Sequence, residues 1–164
     1  MEQTEYTDFD IGMMEQAILA SGNSCRKDLK LFGGPFGALI VKDGKIVGYG
    51  FNCVLDQNDP TAHAEVQAIR NAGHNLKNFD LSGSILYTSC EPCPMCLMAA
   101  KWANIDKIYY AATRKDAAKL GFKDEELYKM LKRGKFAIQI KECRKAAVKE
   151  MKKWKKKYGE EVNY

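Results

Sequence analysis

The chain has 164 residues, 46% of them hydrophobic, with 26 Lys/Arg against 21 Asp/Glu for a formal net charge of +5. That length fits one domain able to bury a core. No stretch approaches the ~18 apolar residues of a membrane span, and the acidic start (Glu2, Glu5, Asp8, Asp10) is no secretory signal, so six cysteines read as reduced thiols or metal ligands in a cytoplasmic protein rather than as a disulfide frame.

Met14, Ile18 and Leu19 recur at helical spacing within 11–31, which predicts an opening helix ended by Gly33-Gly34-Pro35. Phe36 to Val41 reads as a buried strand, and Asp43-Gly44 as the turn of a hairpin returning along Ile46 to Phe51. Asn52 to Pro60 is a loop. Helical character returns from His63 to about Asn71, followed by a strand over Ser84 to Ser89. A helix over Cys93 to Ala103 comes directly after it, then a strand over Lys107 to Ala112. Residues 124–132 and 141–158 look helical, with a short strand at Phe136 to Ile140 between them. This order predicts an α/β fold, a three-layer α/β/α sandwich around a mixed sheet. No linker or repeat divides the chain, so 1–164 is expected to be a single domain, with 141–164 its C-terminal helix and tail.

Two segments carry the chemistry: His63-Ala64-Glu65, and Pro92-Cys93-Pro94-Met95-Cys96. Cys93 and Cys96 lie three apart at a helix start, so both thiols share a face, and the free N–H groups there favour the thiolate form that binds zinc. His63 opens a second helix. Together they make three zinc ligands, and a catalytic zinc keeps its fourth place for water. Glu65 is then the proton carrier beside the site. Cys90-x2-Cys93-x2-Cys96 also suggests an iron–sulfur run, but a fourth cysteine would be needed at position 100, where Ala100 stands. The combined H-x-E…P-C-x-x-C pattern is the signature of zinc nucleobase deaminases. Cys90, Cys25, Cys53 and Cys143 read as packing thiols, and His74 as a surface residue.

The chain resembles the cytidine deaminase-like superfamily and, within it, the bacterial guanine deaminases. The resemblance is carried by Gly33-Gly34-Pro35-Phe36-Gly37-Ala38, by 58–65 and 86–96, and by Asp116-Ala117-Ala118 with Gly121-Phe122. It implies hydrolysis of guanine to xanthine and ammonia, with one zinc per subunit held by His63, Cys93, Cys96 and water. It further implies that Glu65 and Asp124 are catalytic. Phe36 and Trp102 would line the ring pocket, and Asn52 and the backbone around Ala64 would hydrogen-bond the purine. The family's homodimer swaps its C-terminal segments, which would place Tyr164 over the partner's site.

Residues 132–157 hold 12 Lys/Arg against Glu142 and Glu150, so the rest of the chain is net acidic. A solvated face on a docking helix accounts for this segment. Contact with nucleic-acid phosphates is the other account, and it would suit a tRNA adenosine deaminase. Guanosine and cytosine-type rings are further alternative substrates, and a non-catalytic zinc-stabilised scaffold would need Glu65 missing or a fourth protein ligand.

Overall fold

The structure is a computed structural model that describes residues 6–24, 31–122, 124–131 and 144–158. Two compact units divide it, one within 1–132 and one within 133–164. The first contains α1 (Asp8–Ser21), β1 (Gly37–Lys42), β2 (Lys45–Phe51), α2 (Val54–Gln57), α3 (Ala64–Leu76), β3 (Ser84–Cys90), α4 (Pro94–Trp102), β4 (Lys107–Ala112), α5 (Arg114–Lys119) and α6 (Asp124–Leu131). The second contains α7 (Arg144–Tyr158), on which Arg144, Lys149, Lys152, Lys153 and Lys156 are exposed. Among the described residues no helix is long and apolar enough to cross a membrane.

Strand order is β2-β1-β3-β4, with β1 antiparallel to both neighbours and β3 parallel to β4. Alternation along the strands separates two cores. Ala38, Ile40 and Leu86 face α3 and α4, meeting Ala64, Ala68, Ala72 and Ala100. Leu39, Val41 and Tyr87 face the other way, onto Ala17 of α1. The mixed sheet with helices on both faces is the α/β/α sandwich expected from the element order.

Alanines on the inner face of α3 bring its backbone close to β2. A Cβ built on Gly50 would stand 2.2 Å from the Ala64 carbonyl oxygen, and one on Gly48 would stand 2.3 Å from that of Ala68. These glycines let the helix that carries the His63–Glu65 segment lie against the sheet. The β1–β2 hairpin turns at Asp43 and Gly44, both at positive φ (51° and 72°), as an Asp-Gly turn of this kind requires.

Several boundaries differ from the sequence expectation. The first helix starts earlier and stops at Ser21, because Thr7 and Asp10 form a reciprocal capping box that fixes its start, and a 3-10 turn at Gly22–Ser24 ends it. The expected loop over 52–60 contains the single-turn α2, closed by Asn58 in the left-handed conformation. Helix α5 was not expected, although its own capping box, Thr113 with Asp116, is written in the sequence. The strand expected at Phe136 to Ile140 lies outside the described residues, as do Cys25, Cys143 and Tyr164.

Candidate metal centre and substrate cavity

His63 and Cys93 occupy equivalent places, each the N-cap of its helix in extended backbone (φ −68°, ψ 159° and φ −66°, ψ 165°). Neither side chain caps its own helix. Both are therefore free to turn toward the gap between the starts of α3 and α4. Pro94 follows at N1, where a missing N–H costs no helical hydrogen bond. Cys96, one turn into α4, is fully buried and completes the trio.

The donor spacing is that of a zinc site. A tetrahedral ion with Zn–S near 2.3 Å and Zn–N near 2.0 Å holds its nitrogen and sulfur donors about 3.5 Å apart. His63 Nδ1 lies 3.7 Å from Cys93 Sγ and 3.5 Å from Cys96 Sγ. All three ligand atoms fall within 4.8 Å of one another. The electrostatics agree: hydrogen bonding from Cys96, then from His63, holds the Cys93 thiol well below the ordinary thiol range. Cys96, the donor to Cys93, is pushed up by that bond and by burial. A divalent cation would override this and draw both to thiolate.

Glu65, in the first turn of α3, is 6% exposed, and its Oε1 accepts a 3.2 Å hydrogen bond from Thr88 Oγ1 on β3. Burial pushes its carboxyl above the ordinary value. Asp124, at the start of α6, is pushed up for the same reason, with the Cys93 thiolate adding to it. These groups share a cavity of about 540 Å³ whose walls include Phe36, Asn52, His63, Glu65, Cys93, Phe122 and Asp124. Asn52 is buried, and its Oδ1 accepts from the Val54 N–H at 3.2 Å. That bond fixes the amide orientation and leaves the Nδ2 donors for a ligand. Ala64 opens α3, so its N–H has no intrahelical acceptor.

The description "Cytidine and deoxycytidylate deaminase zinc-binding region" belongs to the family model that matches residues 8–112, nearly two thirds of the chain. The chain belongs to that family. It is 59% identical over 97 residues to the guanine deaminase of Bacillus subtilis (strain 168), a stretch covering 59% of this chain and 62% of that protein. It is 44% identical over 88 residues to the tRNA-specific adenosine deaminase of Buchnera aphidicola subsp. Schizaphis graminum, covering 54% and 58%. The matched segment thus spans about three fifths of these curated relatives. The X-ray structure of the Bacillus subtilis guanine deaminase superposes with a TM-score of 0.78 at 39% identity, covering 89% of this chain and 93% of that one.

Most of the residues singled out from the sequence converge. His63, Cys93 and Cys96 form a group that could hold a metal, and Phe36, Asn52, Glu65 and Asp124 stand on the cavity walls. Ala64 is fully buried in the core and is not among those walls. Trp102 is not brought to the cavity within this chain. It ends α4 and is 80% exposed. Six residues past Cys96, its side chain is turned about 240° around the helix from the site. Cys90 packs against the Thr113 carbonyl and lines the cavity, with burial pushing its thiol up to about 11.

Two contributors were missed. Thr88 shows in the sequence only as a hydroxyl at an inward position of an apolar strand, and its partner is 23 residues away. Phe122 stands edge-on to Phe36, ring centroids 4.8 Å apart, so the aromatic wall comes from two distant segments.

Proposed function

We propose that the protein is a cytoplasmic zinc-dependent deaminase that hydrolyses guanine to xanthine and ammonia. The observation that carries this reading is a buried carboxyl, Glu65, set between a His–Cys–Cys zinc site and an aromatic-walled cavity. His63, Cys93 and Cys96 would hold the zinc ion, which when bound would supply Lewis acidity that lowers the pKa of water toward neutral.

Glu65 takes the proton of the attacking water and delivers it to the ring nitrogen beside the amino-bearing carbon. Its raised pKa suits it to hold that proton between the two transfers. As the tetrahedral adduct collapses, Glu65 takes the proton of its new hydroxyl, which becomes the carbonyl of the product, and passes it to the leaving amine, so ammonia departs. Asp124, across the cavity, contacts the base and assists this second movement. The Asn52 Nδ2 donors suit the O6 and N7 acceptors of guanine, and Phe36 with Phe122 provides the apolar wall for the ring. Water in and ammonia out balance the reaction.

The cavity's charged walls are His63 and the carboxylates of Glu65, Glu91 and Asp124, with no Lys or Arg among its described lining. None of these described walls offers a phosphate a Lys or Arg partner, which favours a free base over a nucleotide. A homodimer with exchanged C-terminal segments completes the reading, Tyr164 closing the partner's cavity. The exposed Trp102 is the sort of surface a second copy covers.

Ammonia release from zinc-loaded protein with guanine, guanosine, adenine, cytosine and cytidine tests the substrate. Turnover confined to guanine is expected, and silence on guanine overturns it. The tRNA-specific relatives and the basic face of α7 favour one second reading, adenosine deamination in tRNA. It would require salt-sensitive tRNA binding with inosine formed. The dimer is tested by mixing inactive Glu65→Gln and Tyr164→Ala protomers, which should restore activity beyond that of either alone.

A further inference from the structure

The short loop between β3 and α4 carries Cys93, and two side chains from later in the chain clasp it. Glu91, in that loop, accepts from Arg114 twice: the backbone N–H reaches its Oε2 at 3.0 Å and Nη1 its Oε1 at 3.1 Å. The Arg114 guanidinium lies over the Tyr128 ring, 4.6 Å from its centroid. Tyr128 in turn donates its hydroxyl to the Pro92 carbonyl at 2.7 Å. Loop, α5 and α6 are thus closed into one circuit.

Tyr128 is four residues beyond Asp124, which places both on one face of α6. The residue that holds α6 to the loop therefore sits one turn from the residue that α6 presents to the cavity. Pro92 is the immediate neighbour of the metal ligand Cys93. Asp124 and the thiol are otherwise carried on separate elements, 31 positions apart in sequence.

From this arrangement we infer that Tyr128 is a positioning residue: its hydroxyl sets Asp124 in register with the metal centre, and Arg114 locks the ring that carries it. The inference rests on the proposed role of Asp124. Tyr128→Phe removes the hydroxyl while keeping the ring under Arg114, so it isolates the Pro92 contact from packing. Because misplacement by about 1 Å can cost on the order of a hundredfold in rate, kcat on guanine should fall 10- to 100-fold, with KM and melting temperature little changed.

A residue that acts through Asp124 adds nothing once Asp124 is disabled. Tyr128→Phe combined with Asp124→Asn should therefore be no slower than Asp124→Asn alone. Losses that multiply, or an unchanged kcat in Tyr128→Phe, overturn the inference. Cobalt-loaded protein gives a readout that needs no turnover. Freeing Pro92 should shift the thiolate-to-cobalt band in Tyr128→Phe, and an identical band overturns the clasp. Should the parent protein be inert toward guanine, the proposed activity fails by itself and the cobalt band alone decides the clasp.

Discussion

Replacing Glu65 with glutamine separates chemistry from folding. Glu65 is 6% exposed and tied to Thr88 through one oxygen at 3.2 Å. Glutamine has the same shape and keeps that oxygen as an acceptor, while the cost of a buried acid disappears. The change in stability should stay within about 1 kcal/mol, a melting shift of about 2–4 °C for a chain of this size. Zinc binding should be unaffected, since Glu65 is not one of the three ligands. The amide cannot carry the proton, and general acid–base catalysis is worth roughly 10²–10⁴ in rate, about 3–5 kcal/mol of barrier. Ammonia release, zinc content and thermal melting on one preparation measure all three quantities. Glu65→Ala should melt lower than Glu65→Gln, because it strands the buried Thr88 hydroxyl at a cost of about 1–3 kcal/mol. A Glu65→Gln protein that retains zinc and turns over within tenfold of the parent would refute the assignment of Glu65 as proton carrier.

Gly50→Ala would drive a methyl to within 2.2 Å of the Ala64 carbonyl and 2.5 Å of the Ala68 nitrogen, both backbone atoms that cannot swing aside. A destabilisation of about 1–3 kcal/mol is expected, with lower activity since the first turn of α3 is displaced; an unchanged melting temperature contradicts the close packing. Cys96→Ala should purify without stoichiometric zinc and be inactive, and full zinc occupancy would remove Cys96 from the ligand set. The Asp10 carboxyl is held below its ordinary value by Thr7 first and then by the Tyr87 hydroxyl, which reaches Asp10 Oδ1 at 2.5 Å. A depressed acid pKa stabilises the fold above the unfolded value of about 3.9 and loses that contribution as pH falls through the folded value. Tyr87→Phe should therefore lower the melting temperature at pH 7 more than at pH 3, and an equal drop at both excludes the ionic contribution.

The candidate metal ligands were legible in the sequence because each half of the motif is local, although only the fold brings the two halves together. His63 and the Cys93–Cys96 pair each sit at a helix start, and spacing along one helix fixes which thiols share a face. The order of elements along the chain, the Asp43-Gly44 turn and the α/β/α architecture followed from periodicity and turn chemistry, whereas the strand order β2-β1-β3-β4 came only from the structure. Helix α5 was legible too, in the capping residues Thr113 and Asp116, but its short length hid it. What the tertiary structure decided depends on distance across the fold. Only β3 packing against α3 puts the Thr88 hydroxyl on Glu65, and only the return of α5 and α6 brings Arg114 and Tyr128 to the Cys93 loop. Trp102 shows the same limit in reverse: a helix position that reads as pocket lining in one dimension is carried, by two thirds of a turn, out of the cavity of its own chain. Short-range pattern determines an element and its faces; which face meets which is set by the whole packing, which no local window contains.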